Sequence, residues 1–206
     1  MIFETVVVGP MQVNCYILAA AHDSGCIIVD PGAEEPKIRK VLEKHKLTPE
    51  CVINTHGHFD HISCDDAFGV PVYVHAEDRS MLEEPKLNLS GLFSLPYKVS
   101  SLIRVLRDGD LVKTKDLELK VIHVPGHTRG GIALLVKKPG SDILITGDTL
   151  FCQGIGRSDL DGGDGDLLIR SIREKLFSLP DETRVYPGHG ESSTIGEEKQ
   201  GNPYLT

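Results

Sequence analysis

Apolar runs too short to be anything but strands recur along the whole chain, and polar residues close most of them. "FETVVVG", "NCYILA" and "CIIVD" come first, followed by "CVINT" and "PVYVH". The second half continues with "LIRVL", "LVKT", "LELKVIHV", "GIALLVK", "DILITG" and "TRVYPG". These runs are rich in Val, Ile and Leu and are separated by turn residues, the pattern of β-strands. Two segments carry helical spacing instead. Ile38, Val41 and Leu42 share one face of "EEPKIRKVLEKHKL", and Leu168, Ile172 and Leu176 share one face between Asp166 and Leu179. "CDDAFGV" suggests a short helix ending near Gly69, and "TIGE" at Thr194 to Glu197 resembles a capping box opening a last helix. Each half runs from strands to helix. The expected class is α+β, with two packed mixed sheets and helices on their outer faces.

The 206 residues suit a single domain over 1–206, since no linker or low-complexity tract divides them. A net charge of -8 speaks against binding a nucleic-acid backbone, which needs clustered Lys and Arg. The five cysteines are odd in number and none pair as CxxC, so they read as reduced thiols of a cytoplasmic protein. The start, "MIFETVVVGP", lacks the basic opening of a signal peptide, and no apolar run approaches membrane-spanning length. Residues 83–100 show no period and are interrupted by prolines, so they read as a lid or a packed surface loop.

Chemistry concentrates at strand ends. "NTHGHFDHIS" brings His56, His58, Asp60 and His61 directly after "CVINT". "VIHVPG" leads to His127, "ILITG" to Asp148 and "RVYPG" to His189. Strand ends hold side chains rigidly while leaving them accessible. Five imidazoles and two carboxylates exceed the four ligands of one closed zinc site. They suit two metals sharing a carboxylate, about 3.5–4 Å apart, the arrangement of many hydrolytic centres. A single structural zinc is the alternative. His22, His45, His75 and His123 read as ordinary surface or core histidines, and Asp30 and Asp108 as turn or cap residues. Arg157 is a candidate contact for a substrate carboxylate, its fork fitting that group, or else one half of a salt bridge that pins its loop. Tyr97 and Lys86 are candidate contacts from the 83–100 stretch.

Taken jointly and in order, "THGHFDH", "PGHTRG", "GDTLF" and "YPGHG" resemble the motifs of the metallo-β-lactamase-fold hydrolases over nearly the whole chain. The resemblance implies an αββα sandwich. It implies one metal on His56, His58 and His127, a second on Asp60, His61 and His189, and Asp148 bridging them. Asp60 and Asp148 would then be the catalytic carboxylates, with Asp60 also orienting water. The cofactors would be two divalent ions, zinc first, with iron or manganese as alternatives. "GIGRSDLDGGD" and "GEEKQGNPYL" look like a short, single-domain group of glyoxalase II-like enzymes that lack the C-terminal helical substrate domain. The implied activity is hydrolysis of S-lactoylglutathione or a related small-molecule thioester to a free thiol and a hydroxy acid. Arg157 and Asp159 stand where two-domain glyoxalase II enzymes carry a Lys and a Tyr that contact glutathione. The competing readings are a persulfide dioxygenase with one iron on His56, His127 and Asp148, a lactonase of the same fold, and a non-catalytic metal-binding module.

Overall fold

The computed structural model describes residues 1–115 and 117–205. The chain divides into two compact units, Met1–Leu106 with Lys113–Leu117, and Arg107–Val112 with Glu118–Thr206.

The first unit is built on a six-stranded sheet in sequential order. β1 (Ile2–Val8) and β2 (Val13–Ala19) form a hairpin, and β3 (Gly25–Val29) continues it antiparallel. Helix α1 (Glu35–His45) then crosses to β4 (Thr48–Ile53), which lies parallel to β3. One-turn helix α2 (Phe59–Ile62) follows, then β5 (Val72–His75), α3 (Arg79–Glu83) and β6 (Ile103–Leu106), with both remaining pairings parallel. Every residue of β2 is buried, which is why it reads as a continuous apolar run without alternation. Ile38 and Leu42 of α1 pack with Ile17, Ile28, Val52 and Val74 of the sheet. Cys15, Cys26 and Cys51 belong to this interior. Burial pushes the Cys26 and Cys51 thiols up to about 12, so they pack as small apolar groups. All five cysteines are free.

Residues 83–100 form a packed loop at their base. Buried Asn88 donates from Nδ2 to the carbonyls of Met81 and Tyr97, each at 2.9 Å. Asp66 accepts from the Ser100 and Ser101 amides and, at 3.3 Å, from the Tyr97 hydroxyl. The tip, residues 91–96 in and after the 3-10 turn at Ser90–Phe93, is the longest continuously exposed part of the segment.

The second unit carries the other six-stranded sheet, mixed like the first. β7 (Leu111–Lys113), β8 (Glu118–His123), β9 (Ile132–Val136) and β10 (Ile143–Gly147) come first, then a small ribbon of β11 (Leu150–Phe151) and β12 (Gly154–Ile155). Helix α4 (Gly165–Ser171), β13 (Arg184–Pro187), β14 (Ser193–Thr194) and α5 (Ile195–Gly201) complete it, with sheet order β14-β13-β10-β9-β8-β7. β10 and β13 are parallel, so their C-terminal ends share one edge. Asp164 caps α4 by accepting from the Leu167 amide, and the helix widens into a π turn at Ile172–Leu176. Leu168, Ile172 and Leu176 bury the predicted face against Leu144 and Val185. Thr194 caps α5 by accepting from the Glu197 amide, and the Glu197 carboxylate meets the threonine hydroxyl at 3.0 Å.

Candidate metal centre

In the first unit the chain leaves β4 at Asn54 and turns through His56-Gly57-His58 into α2, which carries Asp60 and His61. All three histidines are buried, His61 completely. The His56 ring lies 4.8 Å from that of His58 and 4.2 Å from that of His61, centroid to centroid. His61 Nε2 stands 3.7 Å from Asp60 Oδ2. The Gly57 amide donates to buried Asp78 at 3.2 Å, which fixes the turn between the first two histidines.

Asp30 corrects its reading as a turn residue. Its backbone does turn, at φ 51, but its side chain is fully buried and reaches into the cluster. It accepts from the Thr55 amide and hydroxyl, both at 2.7 Å, and from His61 Nδ1 at 3.0 Å. Thr55 Oγ1 lies 3.2 Å from His56 Nδ1. A carboxylate can only accept, so the His61 proton sits on Nδ1 and Nε2 carries the lone pair that could ligate a metal. A signal for Asp30 was present in the sequence: like Asp148, it stands at the end of an apolar strand. The adjoining Gly32 is required by close approach, because a Cβ there would lie 1.5 Å from the Asp60 carbonyl oxygen. Beneath the cluster, Asn54 Nδ2 donates to Asp65 Oδ1 at 3.1 Å, and burial pushes the Asp65 carboxyl well above its ordinary value.

In the second unit, Asp148 follows β10 and His189 lies just past β13. The parallel pairing makes them neighbours, and the Gly188 amide donates to the Gly147 carbonyl at 2.8 Å. His127 comes from the β8–β9 turn. Asp148 Oδ2 stands 3.9 Å from His127 Nε2 and 3.6 Å from His189 Nε2. His127 Nδ1 meets the Arg157 carbonyl at 2.7 Å, so this ring too presents Nε2 to the carboxylate. Gly156 repeats the role of Gly32, since a Cβ there would lie 1.8 Å from the Asp148 carbonyl oxygen.

The carboxylate–imidazole separations in both groups are longer than hydrogen bonds. They match two donors on one ion, which stand roughly 3–4 Å apart when each bond is about 2.0–2.2 Å. Imidazole and carboxylate donors, with Nδ1 held by a buried carboxylate or carbonyl, suit a zinc- or iron-type divalent ion. The three predicted substrate contacts are placed differently. The Arg157 guanidinium is exposed and pairs with Asp159 through two contacts of 2.8 Å. That hydrogen bonding holds Asp159 down to about 2. The Tyr97 hydroxyl faces Asp66, and Lys86 is exposed.

A sequence model described as the metallo-beta-lactamase superfamily matches residues 8–189. The chain belongs to this superfamily. An "Uncharacterized protein ML0493" of Mycobacterium leprae is 42% identical over 211 residues, covering 96% of this chain and 95% of that one. "Probable metallo-hydrolase YqgX" of Bacillus subtilis is 38% identical over 203 residues, covering 96% and 94%. "Hydroxyacylglutathione hydrolase GloC" of Haemophilus influenzae is 33% identical over 208 residues, covering 98% and 97%. Among solved structures, BLEG-1 B3 metallo-beta-lactamase superposes with a TM-score of 0.91 at 38% identity, covering 100% of both chains. TTHA1623 in a di-iron-bound form gives 0.84 at 33% identity, covering 98% of this chain and all of that one. The two mixed sheets with flanking helices are the metallo-beta-lactamase fold. No helix among the described residues is long and apolar enough to cross a membrane.

Proposed function

We propose that the protein is a metal-dependent hydrolase with a dinuclear centre, acting on S-lactoylglutathione or a related small-molecule thioester in the cytoplasm. The observation that carries this reading is the repeated geometry of the two ligand groups. In each, a carboxylate oxygen stands 3.6–3.9 Å from imidazole Nε2 atoms. His61 and His127 each have Nδ1 held by an oxygen acceptor. In the proposed assignment His56, His58 and His127 hold one ion, Asp60, His61 and His189 hold the other, and Asp148 serves both. Zinc is the proposed metal, and the di-iron form of TTHA1623 makes iron the first alternative. Divalent ions held this way supply an acidified water and polarise a carbonyl.

The protein's own groups do the rest. Asp30 and the Arg157 carbonyl fix the tautomers and ring directions of His61 and His127. Asp60, on the one-turn helix, would orient water as well as ligate. A thiol titrates near about 8.5, so a thiolate leaves without a dedicated general acid. The name of the Haemophilus influenzae relative supports the thioester class. A second reading, β-lactam hydrolysis, draws on the full-length likeness to BLEG-1. The deciding experiment assays metal-loaded protein without oxygen against S-lactoylglutathione, a lactone and nitrocefin. Thioester turnover is expected to persist anaerobically and to exceed the others. Activity that requires oxygen would sink the hydrolase, and preference for nitrocefin would establish the second reading.

A further inference from the structure

We infer that a cavity beside Asp60 is an acyl pocket that takes an apolar, aliphatic acyl group. The inference rests on the hydrolase reading and narrows its substrate class. The cavity holds about 480 Å³, within the range of small-molecule sites, roughly 300–1,000 Å³. Val8 and Met11 line it from the β1–β2 hairpin, Ala33 and Phe59 from beside the histidine cluster, and Phe93 and Leu95 from the tip of the 83–100 loop. Its polar side chains are Asp60 and Ser63, and the Ser63 hydroxyl is turned back onto the Phe59 carbonyl. Among the described residues no Lys or Arg lines it. Glutathione carries two carboxylates, which this wall, acidic at Asp60 and apolar elsewhere, does not receive. The remaining part of a thioester is its acyl group, and an apolar wall that reaches a ligating carboxylate fits that part.

Two further observations point to a ligand. Large apolar side chains are left open at the rim: Met11 is 40% exposed, Phe93 51% and Leu95 69%. Apolar side chains exposed next to one another mark binding surfaces. The rim is also held in shape. Leu89 at φ 71 and Ser94 at φ 57 bracket the turn in the left-handed region, which side-chain-bearing residues rarely adopt. Phe93 packs against Phe59 with tilted rings, centroids 4.8 Å apart, tying the loop tip to the helix that carries Asp60. The pocket is therefore formed before substrate arrives.

The test compares acetyl, butyryl and hexanoyl thioesters of N-acetylcysteamine with S-lactoylglutathione on the metal-loaded enzyme. Binding of neutral 1-octanol to the metal-free protein is measured alongside by calorimetry. kcat/KM is expected to rise roughly fourfold per methylene, the ratio expected for burying one methylene group. Phe93→Asp should flatten that series, with a larger loss for the hexanoyl than for the acetyl thioester, and should abolish 1-octanol binding. Leu95→Asp, at the more exposed position, repeats the test should Phe93→Asp fail to fold. Hydrolysis with no chain-length dependence, or a Phe93→Asp loss equal for all acyl groups, would overturn the pocket and leave the hydrolase standing. 1-Octanol binding that Phe93→Asp removes, with no thioester cleaved, would support the pocket and overturn the hydrolase.

Discussion

Asp30→Asn changes almost nothing in volume and should still disable one metal site. The Asp30 carboxylate accepts from three donors, at 2.7, 2.7 and 3.0 Å. An amide keeps one acceptor oxygen and brings an NH2 group. With the oxygen left facing the Thr55 amide, the NH2 meets the Thr55 hydroxyl and His61 Nδ1. The hydroxyl can turn and accept. His61 must then accept at Nδ1, which moves its proton to Nε2 and removes the lone pair that would bind metal. Losing such an outer partner typically weakens metal affinity about 10–100-fold, roughly 1.4–2.8 kcal/mol. The lost charge-assisted bond should cost the fold a further 1–3 kcal/mol or so. Zinc titration of the stripped protein by calorimetry reads the affinity, and long-range proton–nitrogen spectra read the His61 tautomer. Unchanged affinity at both ions with the proton still on Nδ1 would refute the positioning role.

Three other outcomes follow from the same geometry. Asp148→Ala should reduce loading from two ions to one at most and lower kcat by more than about a hundredfold, the scale of losing a group that organises transition-state charge; metal analysis and thioester kinetics check it. Gly156→Ala must displace the Asp148 backbone, because its Cβ would lie 1.8 Å from that carbonyl oxygen. Overpacking of this kind costs about 1–3 kcal/mol, and a displaced ligand can cost on the order of a hundredfold in rate; denaturant melts and kcat read the two parts separately. Burial raises the folded-state pKa of Asp65 above its unfolded value near 3.8, so the folded chain binds more protons in that window. Stability of the metal-free protein should therefore fall as pH rises from about 4 through the raised value, and Asp65→Asn should flatten that slope in melts run across the range.

Elements were legible where periodicity was unambiguous. The face of Ile38 and Leu42 and the cap at Thr194 form as their spacing and chemistry require. The ribbon of Leu150–Phe151 and Gly154–Ile155 was not legible, because two-residue strands carry no period. The proposed metal donors stand out in the sequence as polar residues at strand ends. Asp30 meets the same criterion, but "DPG" is also a turn signal, and here Asp30 is both turn and buried acceptor. Nothing local in the sequence distinguishes the Arg157 guanidinium from its carbonyl, yet the carbonyl holds His127 while the guanidinium pairs with Asp159. The apolar cavity escaped notice because hairpin tip, helix and loop tip lie apart in the chain, and each alone reads as an ordinary exposed residue.

A single titration tests the dinuclear hydrolytic centre. Metal-stripped protein is titrated with zinc under anaerobic conditions while thioester hydrolysis is followed. The rate should climb until two equivalents per chain are bound and then level off. A rate that saturates at one equivalent, or that appears only when oxygen is admitted, would contradict it.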